Sequence, residues 1–204
     1  MKNIYLAAGL ISLMLIVSCA STKITSSWRE PDKKISMGDL NKVLVVALLR
    51  KDKDSRVAED QMASYLHGKG VVSYGYLGNN FDKKNEDVIR DKIRADGFDG
   101  AVTMRLVDVD REVTYVPGQM NTYPSYFRTF SGYYYRSWSY YNTPDRYATT
   151  KTYTIEVNVF SIKEDKIIWS AQTATTDPEG IDNLTADVAR VIDKQMRKEG
   201  FINK

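Results

Sequence analysis

The sequence predicts a single α/β (α+β) domain: a mixed β-sheet, mainly three parallel strands plus a hairpin, covered by about three helices, with a Tyr-rich insertion between the third and fourth strands. Three observations lead there. Val43 to Leu49 is an unbroken apolar, mostly branched run bounded by charge, the pattern of a strand buried on both faces. Thr152 to Ile162 alternates, with Tyr153, Ile155, Val157 and Val159 on one side and Thr154, Glu156 and Asn158 on the other, the period of a half-buried strand. Three amphipathic stretches end in Gly followed by an apolar residue, at Gly70-Val71, Gly97-Phe98 and Gly200-Phe201, the pattern of helices closed by a Schellman turn.

The elements follow in order. Ile24 to Trp28 reads as an edge strand or a segment packing Trp28 on the sheet, ended by Pro31, which has no N–H for a ladder. After the central strand, Asp54 or Ser55 is placed to cap a helix with Ala58, Met62, Tyr65 and Leu66 on one face. Val71 to Leu77 reads as a second strand. Asn85 is placed to cap a second helix carrying Val88, Ile89 and Ile93, and Ala101 to Val109 follows as the third strand. Right-handed crossovers make these three strands parallel. Lys163 to Lys166 forms a polar turn joining Thr152–Ile162 to Ile167–Thr176 as a hairpin. Leu184, Val188, Val191, Ile192 and Met196 form the apolar stripe of a closing helix. Leu66, Ile93 and Met196 are the expected contacts of the residue after each terminal glycine.

The N-terminus carries a different signal. Lys2 precedes an apolar run from Ile4 to Val17, interrupted by Gly9 and Ser12, and then Ser18-Cys19-Ala20. The run is short for a bilayer span of about 20 residues and lacks a basic flank after it, so residues 1–18 read as a cleaved signal peptide. Ile16-Val17-Ser18-Cys19 resembles the bacterial lipobox, which implies acylation of Cys19 and cleavage before it. Cys19 is the only cysteine, so no internal disulfide competes for the thiol. Ala20-Ser21-Thr22-Lys23 lacks the Asp that resembles an inner-membrane retention signal and the acidic run that resembles a surface-export signal. The expected location is the outer membrane, lipid-anchored and facing the periplasm. Residues 19–41 then form the anchor, a short tether and an N-terminal edge segment, and residues 42–204 the domain, with 113–147 as its insertion.

Composition narrows the function. The chain has 29 Lys and Arg against 26 Asp and Glu, of which only Lys2 lies in the signal segment, and the signs are interspersed; nucleic acid is not implied. His67 is the only histidine, so neither a histidine metal pair nor a relay is available. Phosphate-binding glycine loops are absent. Asp108, Asp110 and Glu112 alternate along one strand face, which reads as a solvated strand end rather than a metal or acid/base site. The expectation is a non-enzymatic protein with no catalytic residues, no metal and no cofactor.

The insertion is the most distinctive stretch. Between Val113 and Tyr147 aliphatic residues nearly vanish after Val116 and rings accumulate, among them Tyr133, Tyr134, Tyr135, Trp138, Tyr140 and Tyr141. A flexible loop, a lid over the sheet and a contact platform are all compatible with it; the platform reading assigns those six residues to binding, because Tyr and Trp offer large rigid contact area with a polar handle. Partners on that reading are the membrane through the lipid, and an envelope protein or a glycan.

Ser27-Trp28-Arg29-Glu30-Pro31, Gly97-Phe98-Asp99-Gly100-Ala101 and Lys166-Ile167-Ile168-Trp169-Ser170 together resemble an uncharacterised family of bacterial envelope lipoproteins with a domain of unknown function. The family supplies no catalytic residues. The strand and helix order is also similar to small αβ domains of periplasmic lipoproteins that activate cell-wall synthases or assemble export pores, a likeness of architecture alone.

Overall fold

A computed structural model describes residues 22–36, 38–78, 86–117 and 145–203. Among them are eight strands and four helices. In chain order these are β1 (Thr22–Arg29), β2 (Ile35–Ser36), β3 (Val43–Leu48), α1 (Asp52–Ser64), β4 (Gly70–Val72), α2 (Ser73–Tyr76), α3 (Glu86–Ala95), β5 (Gly100–Val116), β6 (Arg146–Ser161), β7 (Lys166–Thr176), α4 (Ile181–Lys198) and β8 (Ile202–Asn203). Six strands form one mixed sheet in the order β1-β7-β6-β5-β3-β4, and β2 and β8 form a small parallel pair. As the sequence predicts, β3, β4 and β5 are parallel and β6 and β7 are an antiparallel hairpin. β1 is an edge strand on β7, with Trp28 47% exposed.

One face of the sheet meets α1 and α4. Register brings Val45, Val102, Val159 and Trp169 into one row and Ala47, Met104, Val157 and Ala171 into the next. Helix α4 lays Leu184, Val188, Ile192 and Met196 into the same core, and α1 adds Ala58 and Met62. Burying such a side chain contributes about 1.5–3 kcal/mol. On the other face, Leu77, Phe98, Ile89 and Ile93 cover Leu44 and Ala101 in a smaller cluster. Farther along that face the row is polar, with Arg105 3.0 Å from Glu156 and Asn158 donating to Glu156.

Two of the three glycine helix ends form as the sequence predicts. Gly97 (φ 75°) and Gly200 (φ 66°) are left-handed, and the Phe98 and Phe201 amides reach back to the Ile93 and Met196 carbonyls at 3.3 and 2.9 Å, the Schellman pattern. The third differs. Helix α1 stops at Ser64 and the left-handed residues are His67 and Gly68. Gly70 is needed for closeness instead: a Cβ there would lie 2.8 Å from the Ala63 Cα, where β4 enters beside the helix.

The expected strand over Val71–Leu77 is only three residues long and turns into α2. The cause is Glu59, a buried carboxylate that accepts from the Ser73 hydroxyl at 2.7 Å, the Tyr74 amide at 3.2 Å and the Ala47 amide at 3.0 Å; it gives the backbone after Val72 a partner that a further strand would not. Helix α1 begins earlier than Asp54, and Ser55 accepts from the Leu49 amide at 3.2 Å rather than capping. Tyr65 and Val88 are exposed, 45% and 66%. The expected cap Asn85 lies outside the described residues. β5 and β6 are much longer than the hydrophobic pattern indicates, because their outer halves pair only with each other.

The edge strand is held by one carboxylate. Glu199 accepts from the Ser27 hydroxyl of β1 (2.5 Å), the Trp169 indole N–H (2.8 Å) and the Gln195 amide (2.7 Å), while its backbone carbonyl accepts from the Arg29 guanidinium. Burial alone would push this carboxyl up, but those donors and the Arg29 charge hold it below the ordinary glutamate value of 4.5.

Two outcomes follow from these contacts. Gly70→Ala should lower unfolding free energy by about 1–3 kcal/mol by overpacking against the α1 backbone, measured by denaturant titration. The Glu199 stabilisation is present above about pH 4.5 and is lost as the pH falls through the lower folded value. Stability of Glu199→Gln should therefore fall by roughly 2 kcal/mol at neutral pH and converge on wild type in acid.

Candidate functional site

The feature best placed to meet something outside the domain is a two-stranded arm. β3 leaves the ladder at the Leu48–Arg105 pair, and β7 pairs with β6 only from Thr152–Thr176 inward. Beyond those limits β5 and β6 continue as a lone ribbon to Val116–Arg146. From Asp110, opposite Thr152, to Val116 at about 3.4 Å per residue, the arm projects roughly 20 Å. Isolated two-stranded hairpins are marginally stable in water, so an arm of this kind invites a covering surface.

A β-bulge at Val107 decides which side chains share a face. Register runs Leu106–Ile155 and then Asp108–Thr154, so one extra residue stands on β5 and everything beyond it changes sides. The face that continues the core side carries Val109, Arg111, Val113 and Tyr115 from β5 and Tyr153, Lys151, Thr149 and Tyr147 from β6. The other face carries Asp108, Asp110 and Glu112. The acids therefore line one face, as the sequence predicts, and they are exposed; the bulge separates them from the rings. Val113, Tyr115 and Tyr147 are 62%, 50% and 75% exposed. The Tyr115 and Tyr147 rings pack at 5.5 Å, and the Tyr115 hydroxyl donates to Asp145 at 2.6 Å, which pushes its phenol up.

A second feature is a cavity of about 1170 Å³ between the C-terminal part of α1, helix α4 and the sheet. Met62, Leu66, Met104, Val188 and Met196 line it, and Ile35, Ser36, Asp39 and Leu40 border it. Its wall includes Thr185, fully buried, whose hydroxyl has no hydrogen-bond partner among the described residues.

The residues singled out from sequence fare as follows. Cys19 and the rings Tyr133, Tyr134, Tyr135, Trp138, Tyr140 and Tyr141 lie outside the described residues. His67 is exposed just after α1. No group of three or more His, Cys, Asp or Glu side chains placed to hold a metal occurs among the described residues, and no described helix is long and apolar enough to cross a membrane. Arg111, Lys151 and Thr185 escaped sequence reading. The first two were hidden because the bulge that groups them leaves no mark in the alternation, and the third because a Thr inside an apolar helical stripe looks like packing.

No protein-family model and no curated protein matches the chain. Among solved structures, the PelC dodecamer from Paraburkholderia phytofirmans aligns with a TM-score of 0.45 at 10% identity, over 84% of this chain and 95% of that one. Lipoprotein GNA1162 from Neisseria meningitidis aligns with a TM-score of 0.40 at 9% identity, over 77% of this chain and 98% of that one.

Because Thr185 leaves a buried hydroxyl unsatisfied, Thr185→Val should raise the unfolding free energy of the ligand-free protein by about 1 kcal/mol, read from the denaturant midpoint at constant slope.

Proposed function

We propose that this protein is a lipid-anchored, periplasm-facing envelope module of the outer membrane that binds or assembles other envelope components without catalysis. The observation that carries the reading is the position of β1. Its first residue, Thr22, is three residues from Cys19 and already paired with Thr175, so an acyl group on Cys19 would hold the folded body within about 11 Å of the bilayer. Several acyl chains on one residue make such attachment effectively permanent, at about 0.8 kcal/mol per buried CH₂. The arm then presents its contact face close to the membrane, and residues 118–144 connect its two strands.

A second reading is favoured by the cavity. A half-open apolar cavity of about 1170 Å³ has the size of a small-ligand site, whose usual volumes run to about 1,000 Å³. On this reading the ligand is apolar, and the site lies in the helical layer rather than on the aromatic insertion.

Cys19→Ser should move the protein from the membrane to the soluble fraction or stall it as precursor; wild-type mature protein found soluble with a free, unacylated N-terminus would overturn the anchored reading. Replacing residues 118–144 with a Gly/Ser connection should leave the melting temperature within a few degrees, since the two core clusters among the described residues are built without them, and should abolish in-cell crosslinks from the arm if those residues contact the partner.

A further inference from the structure

We infer that the core-side face of the β5–β6 arm rests on the anionic surface of the bilayer that holds Cys19. The inference rests on the anchored reading above and names what the arm touches.

Register supplies the geometry. Thr22 pairs with Thr175, Thr175 with Tyr153, and Tyr153 with Val109, so the N-terminus of β1 and the root of the arm lie on one line across the sheet. Chain direction then puts the tether and the arm at the same end of the molecule. The tether from Cys19 to Thr22 reaches about 11 Å at most, whereas the arm ends at Val116, roughly 24 Å past that line. A domain standing upright on its tether would drive the arm's tip through the headgroups. It must lean, and the arm lies along the surface.

Side-chain chemistry selects the face turned down. On the core-side face the exposed strand residues are Arg111, Val113, Tyr115, Tyr147, Thr149 and Lys151: two cations, three apolar or ring-bearing groups and no carboxylate. Two carboxylates border this face, Asp145, which accepts from the Tyr115 hydroxyl, and Asp177, which accepts from the Lys151 backbone amide at 2.7 Å; neither donor is a cation, so the attraction comes from Arg111 and Lys151 on the face itself. Tyr rings favour the membrane interface, and each Lys or Arg near an anionic surface adds attraction. The opposite face, with Asp108, Asp110 and Glu112, would be repelled. The ribbon is thus sorted into a face suited to anionic headgroups and a face suited to water, a strand counterpart of an interfacial amphipathic helix.

The test uses the acylated full protein, in which Cys19 is blocked and an added cysteine is the only free thiol. Val113→Cys and Thr114→Cys, neighbours on opposite faces, are each labelled with an environment-sensitive fluorophore and reconstituted into vesicles of phosphatidylethanolamine with phosphatidylglycerol, or of phosphatidylcholine alone. The label at 113 should shift to shorter wavelength and be quenched by lipid-borne quenchers in anionic vesicles, while that at 114 stays aqueous. Adding Arg111→Glu and Lys151→Glu should remove the difference between the two vesicle types. Protein that floats with the vesicles while both labels remain aqueous, or while both shift alike, overturns this inference and leaves the anchor standing. Protein that does not float at all overturns the anchored reading and this inference with it.

Discussion

The long antiparallel pairing of β5 with β6 is the constraint on which the rest of the molecule depends. It runs from Gly100–Ser161 to Val116–Arg146, joins the parallel half of the sheet to the antiparallel half, and continues past both. Inside the domain it carries Met104, Ile155 and Val157 to the helical layer. Outside, it is the whole of the arm. The bulge at Val107 makes one ladder serve both purposes: inside it the core face is aliphatic, and beyond it the same face becomes basic and aromatic. Strand side chains have period two, so a single inserted residue is enough to exchange the faces. Without it, Asp108, Asp110 and Glu112 would lie on the side that now holds the rings.

Two carboxylates settle where neighbouring elements stop. Glu59 is buried and gathers three donors from β3 and α2, which turns the chain away from the sheet after Val72. Glu199 does the corresponding work at the other edge, collecting Ser27, Trp169 and Gln195 around the end of α4. Both are cases where a carboxyl group withdrawn from water, fully at Glu59 and partly at Glu199, is tolerated because donors surround it. Each makes a boundary that apolar periodicity does not encode.

That contrast explains what was legible in the sequence. Strands whose side chains alternate against a core, such as Ile155, Val157 and Val159, and helices with a continuous stripe, such as Leu184 to Met196, declare themselves, and so do left-handed glycines like Gly97 and Gly200. Three things did not. Gly70 looks like another helix cap because glycine is equally demanded by a positive φ and by close backbone approach; only the position of Ala63 tells them apart. The short β4 and the helical turn after it depend on Glu59, distant in sequence. The arm's outer pairs bury nothing, so polar residues such as Thr149 and Thr150 read as loop although they are in register with Val113 and Glu112. Of the candidate site, the Tyr-rich character was evident and its sorting by face was not.

The edge strand has a mechanical meaning as well. β1 lies antiparallel to β7 with pairs from Thr22–Thr175 to Arg29–Trp169; its N-terminal end is the one that a lipid on Cys19 would pull, while Glu199 holds Ser27 and Arg29. A pull from that end along the strand axis would load the ladder in shear: all the pairs would resist together instead of parting one at a time from the end. A domain fastened this way would tolerate drag along that axis, and under increasing force the rest of the sheet, whose strands are not in the line of pull, would stay folded until the first strand had slid free as a unit.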